Sequence, residues 1–475
     1  MIDLLLAGRN LLRNRRRSFA ALFALALGAA AILLFGGYRA NIEYTMLTAY
    51  VRDGGHLQVQ HRDFFLYGSG NPTLYGIADY AALIAAIRDD EVLRDLVVVA
   101  TPMLQFGGIA SNFDADVSRP VAGFALVPED QRRLRLWNEF GVAESAQQFT
   151  LEGAAIDGAI IGTGVARVLR LCEPLRVADC PTPLRDRNEA PAEEGEALDA
   201  DIAALAALAG PAAGSAAGQV AEGNHGPPRI ELLDATAGGA PNVVSLQVLK
   251  AERQGFKEVD EIFLQMHLAQ AQRLVYGRAP PRATAIVIQL ASTAQIAQAA
   301  ERLREVIARA APQQPLAVLD FRELNPFFVQ TVQMFGMIFG FIFALMAVIV
   351  LFTVSHAMST SVTERTVEIG TVRAMGLRRR GVQRLFVIEG ALLGAVGAVV
   401  GVVFAVLIAT LVNALGLTWL PPGSGHPLPL QLMLQGQGAL IAGTALGLFA
   451  IAVVSAWWPA YRASRLVIVD ALRHV

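Results

Sequence analysis

Four segments of this chain are long and apolar enough to cross a lipid bilayer, and they limit its fold more than any other feature. A spanning helix needs about 20 consecutive apolar residues, because the hydrocarbon core is about 30 Å thick and each residue rises about 1.5 Å. Residues 19–38, 326–356, 385–412 and 438–458 meet that condition, and Glu389 is the only Asp, Glu, Lys or Arg in any of them. The first segment follows Arg13, Arg15, Arg16 and Arg17, as a secretory signal would. Its apolar run continues through Ile32, Leu33, Leu34 and Phe35, past the roughly 7–15 residues of a signal core, so it reads as an uncleaved anchor. The low charged fraction, 17%, agrees with a membrane class, since soluble chains carry about 25%.

Arginine counts in the short flanks set the direction of the spans. Residues 1–18 carry five Arg and one Asp, residues 357–384 six Arg and two Glu, and residues 459–475 three Arg and one Asp. Four spans put these three segments on one side, so all are expected to be cytoplasmic, with both termini. The loop 413–437 has no Asp, Glu, Lys or Arg and falls outside with residues 39–325. The whole chain is at −2, which leaves −11 on residues 38–330, an acidic extracytoplasmic domain. The fold class is thus an α-helical membrane protein with four transmembrane helices and a large α+β domain between helices 1 and 2.

Several functions drop out. A sensor kinase needs a cytoplasmic output domain, and each cytoplasmic piece here is under 30 residues. An ion-coupled carrier buries ionisable groups mid-membrane, and these spans hold almost none. No basic stripe with interleaved aromatics suggests nucleic acid. His56, His61, His225, His267, His356, His426 and His474 are scattered and form no catalytic or metal constellation.

Within residues 39–325, His56 to His61 alternates as a strand does. An amphipathic helix is expected over Asp79–Arg94, and a strand, turn and helix over Ala159–Leu169. Gly162 and Gly164 in that turn lack the third glycine of a dinucleotide loop, since position 167 is Arg, so they read as a tight turn. Strands are expected near Arg229–Leu233, Val243–Leu249, Glu258–Leu268, Thr284–Leu290 and Leu316–Leu319, with a helix over Thr293–Ala310. Residues 186–228 are rich in Ala, Gly, Pro and Glu and read as a low-complexity insertion. Cys172 and Cys180 do not have zinc-site spacing; outside the cytoplasm they are expected to form a disulfide.

The loop 357–384 is the most informative stretch. Thr363 can cap a helix running to Gly376. Ile369, Val372 and Met375 recur every three residues as an apolar stripe, and Glu364, Arg365, Glu368 and Arg373 line the polar side. Such a helix could lie in the lipid interface or insert into a groove on a partner. In the spans, Gly390 and Gly394, Gly397 and Gly401, and Gly443 and Gly447 each stand four residues apart, a spacing that lets helix backbones approach closely.

The run Ser361-Val-Thr-Glu-Arg-Thr, then Glu368-Ile-Gly370 and Arg373-Ala-Met-Gly376, resembles the coupling region of the FtsX-like, MacB-like family of ABC transporter permeases. Pro459-Ala-Tyr-Arg-Ala-Ser-Arg-Leu, Asp470-Ala-Leu-Arg473 and Ala7-Gly-Arg-Asn-Leu-Leu-Arg-Asn are similar to its terminal signatures. The resemblance implies a permease that pairs with a second permease subunit, identical or not, and docks a cytoplasmic ABC ATPase. It places the coupling role on Thr363, Glu364, Arg365, Glu368, Ile369, Gly370, Arg373, Met375 and Gly376. ATP and Mg are expected on the ATPase, and no cofactor on this chain, which lacks a G-x-x-x-x-G-K-[ST] loop. The ATPase is expected to be a separate polypeptide. A bacterial inner-membrane location with a periplasmic domain follows from the same resemblance.

Gly55-His-Leu-Gln-Val-Gln, Arg229-Ile-Glu-Leu-Leu and Gly239-Ala-Pro-Asn-Val-Val are similar to the lipoprotein-releasing, LolCDE-like members. The expected work is mechanical release of lipoprotein or another amphipathic cargo from the inner membrane. The alternatives are efflux or peptide resistance with a periplasmic adaptor, and regulation of a cell-wall hydrolase without transport.

Overall fold

The computed structural model describes residues 7, 9, 13, 15–68, 70–142, 151–177, 180, 227–255, 257–419 and 428–467. In chain order, α1 (Arg15–Gly54) leads to β1 (Leu57–His61), α2 (Tyr80–Asp89), β2 (Val97–Asn112), β3 (Val117–Leu126) and α3 (Pro128–Arg135). Then come β4 (Gly158–Gly162), α4 (Thr163–Val168), β5 (Arg229–Ala235), β6 (Pro241–Glu252), β7 (Phe263–His267) and α5 (Leu268–Tyr276). The rest is β8 (Ala285–Leu290), α6 (Ile296–Ala310), β9 (Leu316–Asp320), α7 (Pro326–Glu364), α8 (Thr366–Ala374), α9 (Arg379–Ala414) and α10 (Gly438–Ser464). The predicted insertion at 186–228 lies, but for its last two residues, outside the described residues, as do the tail beyond Val467 and most of residues 1–14.

Four helices, α1, α7, α9 and α10, are long and apolar enough to cross a membrane. Each outruns its predicted span, because polar and amphipathic flanks continue the same helix. α1 has 40 residues, about 60 Å of helix, twice the hydrocarbon thickness. Its last turns carry Leu47 and Val51 into the core of the domain between α1 and α7, where Phe328 of α7 joins them. Tyr44 stacks on Phe140 at 4.2 Å. The two helices therefore enter the domain as rigid stalks. Inside the bundle, Leu25, Ala29, Ile32, Val350, Val354, Leu393, Leu448, Ala452 and Ala456 form one core.

The stalk-proximal part of the domain is a four-stranded antiparallel sheet in the order β2-β8-β1-β9. Helices α2 and α6 cover one face and α3 the other. The sequence of elements, βαβ twice around a central hairpin partner, is a ferredoxin-like split βαβ. β1 and β8 are central, so both their faces are buried. The polar alternation of His56–His61 therefore does not mark a wet face: Gln58 and Gln60 are buried, and Gln58 donates to the Gly54 carbonyl at 2.8 Å. The long strand β2 leaves this sheet at Leu104 and joins β3, β7, β4, β6 and β5, which close back on β2 as a six-stranded barrel. Leu104, Ile161, Ile230, Leu246, Leu264 and Leu274 are among its buried core. Cys172 and Cys180 are joined as a disulfide beside it.

Two expectations change. The helix expected over Asp79–Arg94 ends at Asp89; the Asp90 carboxylate accepts from the Val92 and Leu93 amides and pairs with Arg302, restarting a short helix at Leu93. The strand expected from Glu258 begins only at Phe263, after a helical turn, Lys257–Asp260. That turn explains the glycine pair. The buried Asp260 carboxylate accepts from the Thr163 amide and hydroxyl, from the Gly164 amide and from the Gln254 amide. It occupies the α4 N-terminus, where an anion belongs. A Cβ on Gly162 would lie 2.0 Å from the Asp260 carbonyl oxygen and one on Gly164 2.8 Å from the Glu261 Cα. Replacing Asp260 by Ala is expected to cost roughly 3 kcal/mol by stranding these donors. Pulse proteolysis of the detergent-purified chain would check it, Asp260→Asn losing less.

His56, at the junction of α1 and β1, is fully buried and its Nδ1 accepts the Leu290 amide at 3.0 Å. Trp137 lies edge-on at 4.8 Å. Burial pushes its pKa down to about 4, and Glu139 only partly opposes this. Between its ordinary value near 6.5 and about 4, the unfolded chain takes up a proton that the folded chain refuses. Stability is thus expected to fall by about 3 kcal/mol as pH drops through that window, and no further below it. His56→Asn, which keeps an acceptor for Leu290, is expected to flatten the profile in thermal melts across pH.

Candidate functional site

The segment between α7 and α9 gathers the charged groups that the spans lack. α7 runs on past its predicted end to Glu364, so Thr363 is helical; its hydroxyl donates to the Thr360 carbonyl at 2.9 Å and caps nothing. The chain breaks at Arg365 (φ −105°, ψ 18°) and restarts as α8 at Thr366. Thr366 bonds back to the Val362 and Thr363 carbonyls, which holds the corner tight. α8 ends as expected at Gly376, whose φ of +104° closes the helix with the Gly376 and Leu377 amides donating to Arg373 and Val372.

Four charged residues form a chain across this corner. Arg13 donates to Glu368 at 2.6 Å, Arg365 donates to Glu368 at 3.1 Å, and Arg365 also donates to Glu389 at 3.3 Å. The Arg365 and Glu389 side chains are 11% and 5% exposed, so this pair is an internal one. The Arg365 guanidinium also lies 5.6 Å from the Phe386 ring centre. Burial pushes the Glu368 carboxyl up, but the bonds from Arg13 and Arg365 outweigh it and hold it below its ordinary value. Arg373 donates to the Leu466 carbonyl, beyond α10. Val362, Ile369, Val382, Phe386, Ala460 and Ala463 form an apolar core beneath. α8 is thereby fixed to the N-terminal segment, α9 and the end of α10.

This reverses part of the predicted helix face. Ile369 and Gly370 point inward, but Val372 and Met375 are exposed, Met375 at 75%, together with Val367 and Leu377. Arg365 and Arg373 are turned toward their own chain and act as positioning residues; Glu364 and Glu368 remain exposed. The outward surface of α8 thus sets Val367, Val372 and Met375 beside Glu368, and the cations that were expected to face a partner hold the helix in place. Glu389 and Arg13 were not singled out beforehand. The signal for Glu389 was present: a lone carboxylate in an apolar segment needs an internal partner.

The glycine pairs divide. A Cβ on Gly390 would meet the Ala456 Cβ at 2.3 Å, on Gly394 the Ala452 Cβ at 2.8 Å, on Gly397 the Leu25 Cβ at 2.6 Å and on Gly401 the Ala29 Cβ at 2.4 Å. α9 thus touches α10 with its first pair and α1 with its second. Gly443 faces open space, and a Cβ on Gly447 would meet only the end of Phe343 at 3.3 Å, so the α10 pair is not a packing seam.

Among the described residues no group of His, Cys, Asp and Glu could hold a metal ion. Residues 337–468, which hold α8, three of the four residues of the charged chain (Arg365, Glu368 and Glu389) and the packed glycines of α9, match the FtsX-like permease C-terminal domain. The chain is similar to the macrolide export ATP-binding/permease protein MacB of Sodalis glossinidius, 33% identical over 141 residues, covering 29% of this chain and 20% of that protein. It is similar to the ABC transporter permease YvrN of Bacillus subtilis, 28% identical over 159 residues, 33% of this chain and 35% of the relative. It also resembles the lipoprotein-releasing system transmembrane protein LolC of Neisseria meningitidis serogroup B, 26% identical over 255 residues, 50% of this chain and 57% of the relative. In each case the chain spans less than two thirds of the relative's length. Residues 337–468 thus carry an FtsX-like permease C-terminal domain, and with four helices long and apolar enough to cross a membrane the chain is similar to ABC transporter permeases of the MacB and LolC type.

Proposed function

We propose that this chain couples a cytoplasmic ABC ATPase to mechanical work on the opposite side of the inner membrane. The clamped corner carries the reading. α8 offers Val367, Val372, Met375 and Leu377 outward, while Arg13, Glu368, Arg365 and Glu389 tie it to the membrane helices behind it. A push on that surface is passed to α9 and α10, and through the bundle to α1 and α7, whose stalks enter the domain without a flexible joint. ATP and Mg act on the ATPase in this reading, and the arginine-rich flanks support a cytoplasmic side for α8 and a periplasmic side for the domain. α7 leaves Met337, Phe341, Val348 and Phe352 uncovered, a surface for the second permease subunit and for lipid.

The cargo assigned is lipoprotein or another amphipathic molecule released from the inner membrane. The similarity to LolC, which extends over half of this chain, supports it. Efflux is the second reading, supported by the similarity to MacB. Affinity purification from native membranes with mass spectrometry tests both. A stoichiometric ABC ATPase is expected, lost when Met375 and Leu377 are both changed to Asp, with a lipoprotein captured at the periplasmic domain. Purification without any ATPase in mild detergent would sink the coupling; an adaptor in place of a lipoprotein would move the cargo to the efflux reading.

A further inference from the structure

α1 holds two consecutive glycines, Gly36 and Gly37, near the middle of its 40 residues and at the outer end of the apolar segment 19–38. Glycine weakens a helix interior more than any residue but proline, and tandem small residues are among the places where long helices kink. The helix nevertheless runs unbroken through them to Gly54. Two loops lie along it and account for this.

The first is residues 430–437, before α10. Its Met433 amide donates to the Gly37 carbonyl at 3.1 Å, and a Cβ on Gly37 would lie 3.0 Å from the Leu434 side chain, so the glycine admits the loop at this distance. The Asn413 side chain exchanges two hydrogen bonds with the Leu432 main chain, which fixes the loop to the end of α9. Gln437 then donates to the Tyr44 hydroxyl at 2.9 Å. The second loop is residues 137–142, after α3. Asn138 closes it by bonding both main-chain groups of Val142. Phe140 stacks on Tyr44 with the rings 4.2 Å and 4° apart, and the Trp137 carbonyl accepts from Arg52 at 2.7 Å. Glu139 accepts from the Ser292 hydroxyl and from the Thr293 amide and hydroxyl ahead of α6, so this loop belongs to the domain. Gly37 and Tyr44 stand seven residues apart, close to two helical turns, and so share one side of α1. Tyr44 is where the outer loop of the bundle meets the loop of the domain: its hydroxyl serves one and its ring the other.

We propose that these two loops form a splint along α1 and that Tyr44 is its releasable catch. When the Gln437 bond or the Phe140 stack opens, the stalk bends at Gly36 and Gly37 and the domain tilts on the bundle. One neutral hydrogen bond and one aromatic pair are weak enough to open and reform, while the paired Asn413 and Asn138 bonds keep each loop in shape. What opens the catch rests on the function proposed above: movement of α10, which Arg373 ties to α8 through Leu466. The splint itself does not depend on that reading.

The test uses the purified full chain with spin labels at Leu415→Cys, just beyond α9, and Ala308→Cys, on α6, both exposed positions. Cys172 and Cys180 are joined to each other, so only the introduced thiols react. The parent is expected to give one narrow distance distribution. Tyr44→Phe deletes the hydroxyl and keeps the ring; Phe140→Ala deletes the stack and keeps the hydroxyl. Each is expected to widen the distribution at least twofold, and Gln435→Leu, on the same loop, to leave it unchanged. Gly36→Ala added to Tyr44→Phe is expected to restore the narrow distribution, since its methyl meets only the ends of the Leu440 and Phe339 side chains. A distribution that stays narrow in both single variants, widens as much with Gln435→Leu, or stays wide with Gly36→Ala would each overturn the proposal. Adding the ATPase and ATP to the parent tests the coupling separately. A second distance population is expected; its absence, with the variants behaving as stated, would remove the ATP-driven trigger and leave the splint standing.

Discussion

Changing Arg365 to Met is expected to destabilise the membrane bundle by about 3–5 kcal/mol and, on the proposed function, to uncouple the ATPase from the spans. The reason is the environment of Glu389, whose side chain is 5% exposed and lies beside Phe386 and the apolar core under α8. Removing one member of a buried ion pair leaves the other charged and without its partner, which costs far more than the pair itself contributes. Glu368 would lose one of its two arginines as well, leaving only the exposed contact from Arg13, and exposed pairs contribute little, about 0–1 kcal/mol. The double change Arg365→Met with Glu389→Leu is expected to recover most of the stability, because a buried pair replaced by apolar groups of similar size is often neutral. It is not expected to recover ATP-driven work, since α8 would no longer be tied to α9. Thermal melts of the detergent-purified variants, with ATPase co-purification, separate the two effects. Equal melting of wild type and Arg365→Met would mean the pair is solvated and the clamp does not exist.

The second large effect is expected at Gly401. A Cβ there would lie 2.4 Å from the Ala29 Cβ and 2.8 Å from the Ala26 carbonyl oxygen, so a larger residue must push α9 off α1 along its length. Overpacking a dense core costs roughly 1–3 kcal/mol, and a clash with backbone lies at or above the top of that range because no side chain can rotate away. Gly401→Leu should therefore lower the melting temperature clearly, and Gly390→Leu should do the same at the α10 contact, where the Ala456 Cβ lies 2.3 Å away. Gly443→Leu should change stability by no more than about 0.5 kcal/mol, since nothing lies within 4 Å of its Cβ position. The same melts decide it; a loss at Gly443 as large as at Gly401 would show that the α10 glycines also pack, against a partner outside this chain.

The existence of the four apolar helices and the end of α8 were legible because their signals are local. Twenty apolar residues without charge must form a helix in lipid, whatever surrounds them. Gly376 closes α8 because its own backbone takes a positive φ. The glycine spacing in α9 was informative for the same reason, since four residues return to one helix face. In α10 the identical spacing marks no contact, because a face of small residues packs only if a neighbour lies against it. Much of the domain between α1 and α7 was less legible. The six-stranded barrel depends on β2 bending from one sheet into another, and β4 and β6 meet across the long segment between them. β8 was expected as a strand, whereas β2, which joins the two sheets, and β3 were not.

The amino-acid sequence by itself determined that four segments are long and apolar enough to span a membrane, which flanks are cationic, and that one short helix lies between the second and third of them. These depend on hydropathy, on charge and on backbone geometry, which act over a few residues. Only the tertiary structure decided which side of that helix faces out. Arg365 points toward its own chain because Glu389, 24 positions away, offers a buried carboxylate within 3.3 Å, and Val372 and Met375 are left exposed as a result. A side chain's direction follows from partners that are near in space and far in sequence, and no pattern within the helix contains them.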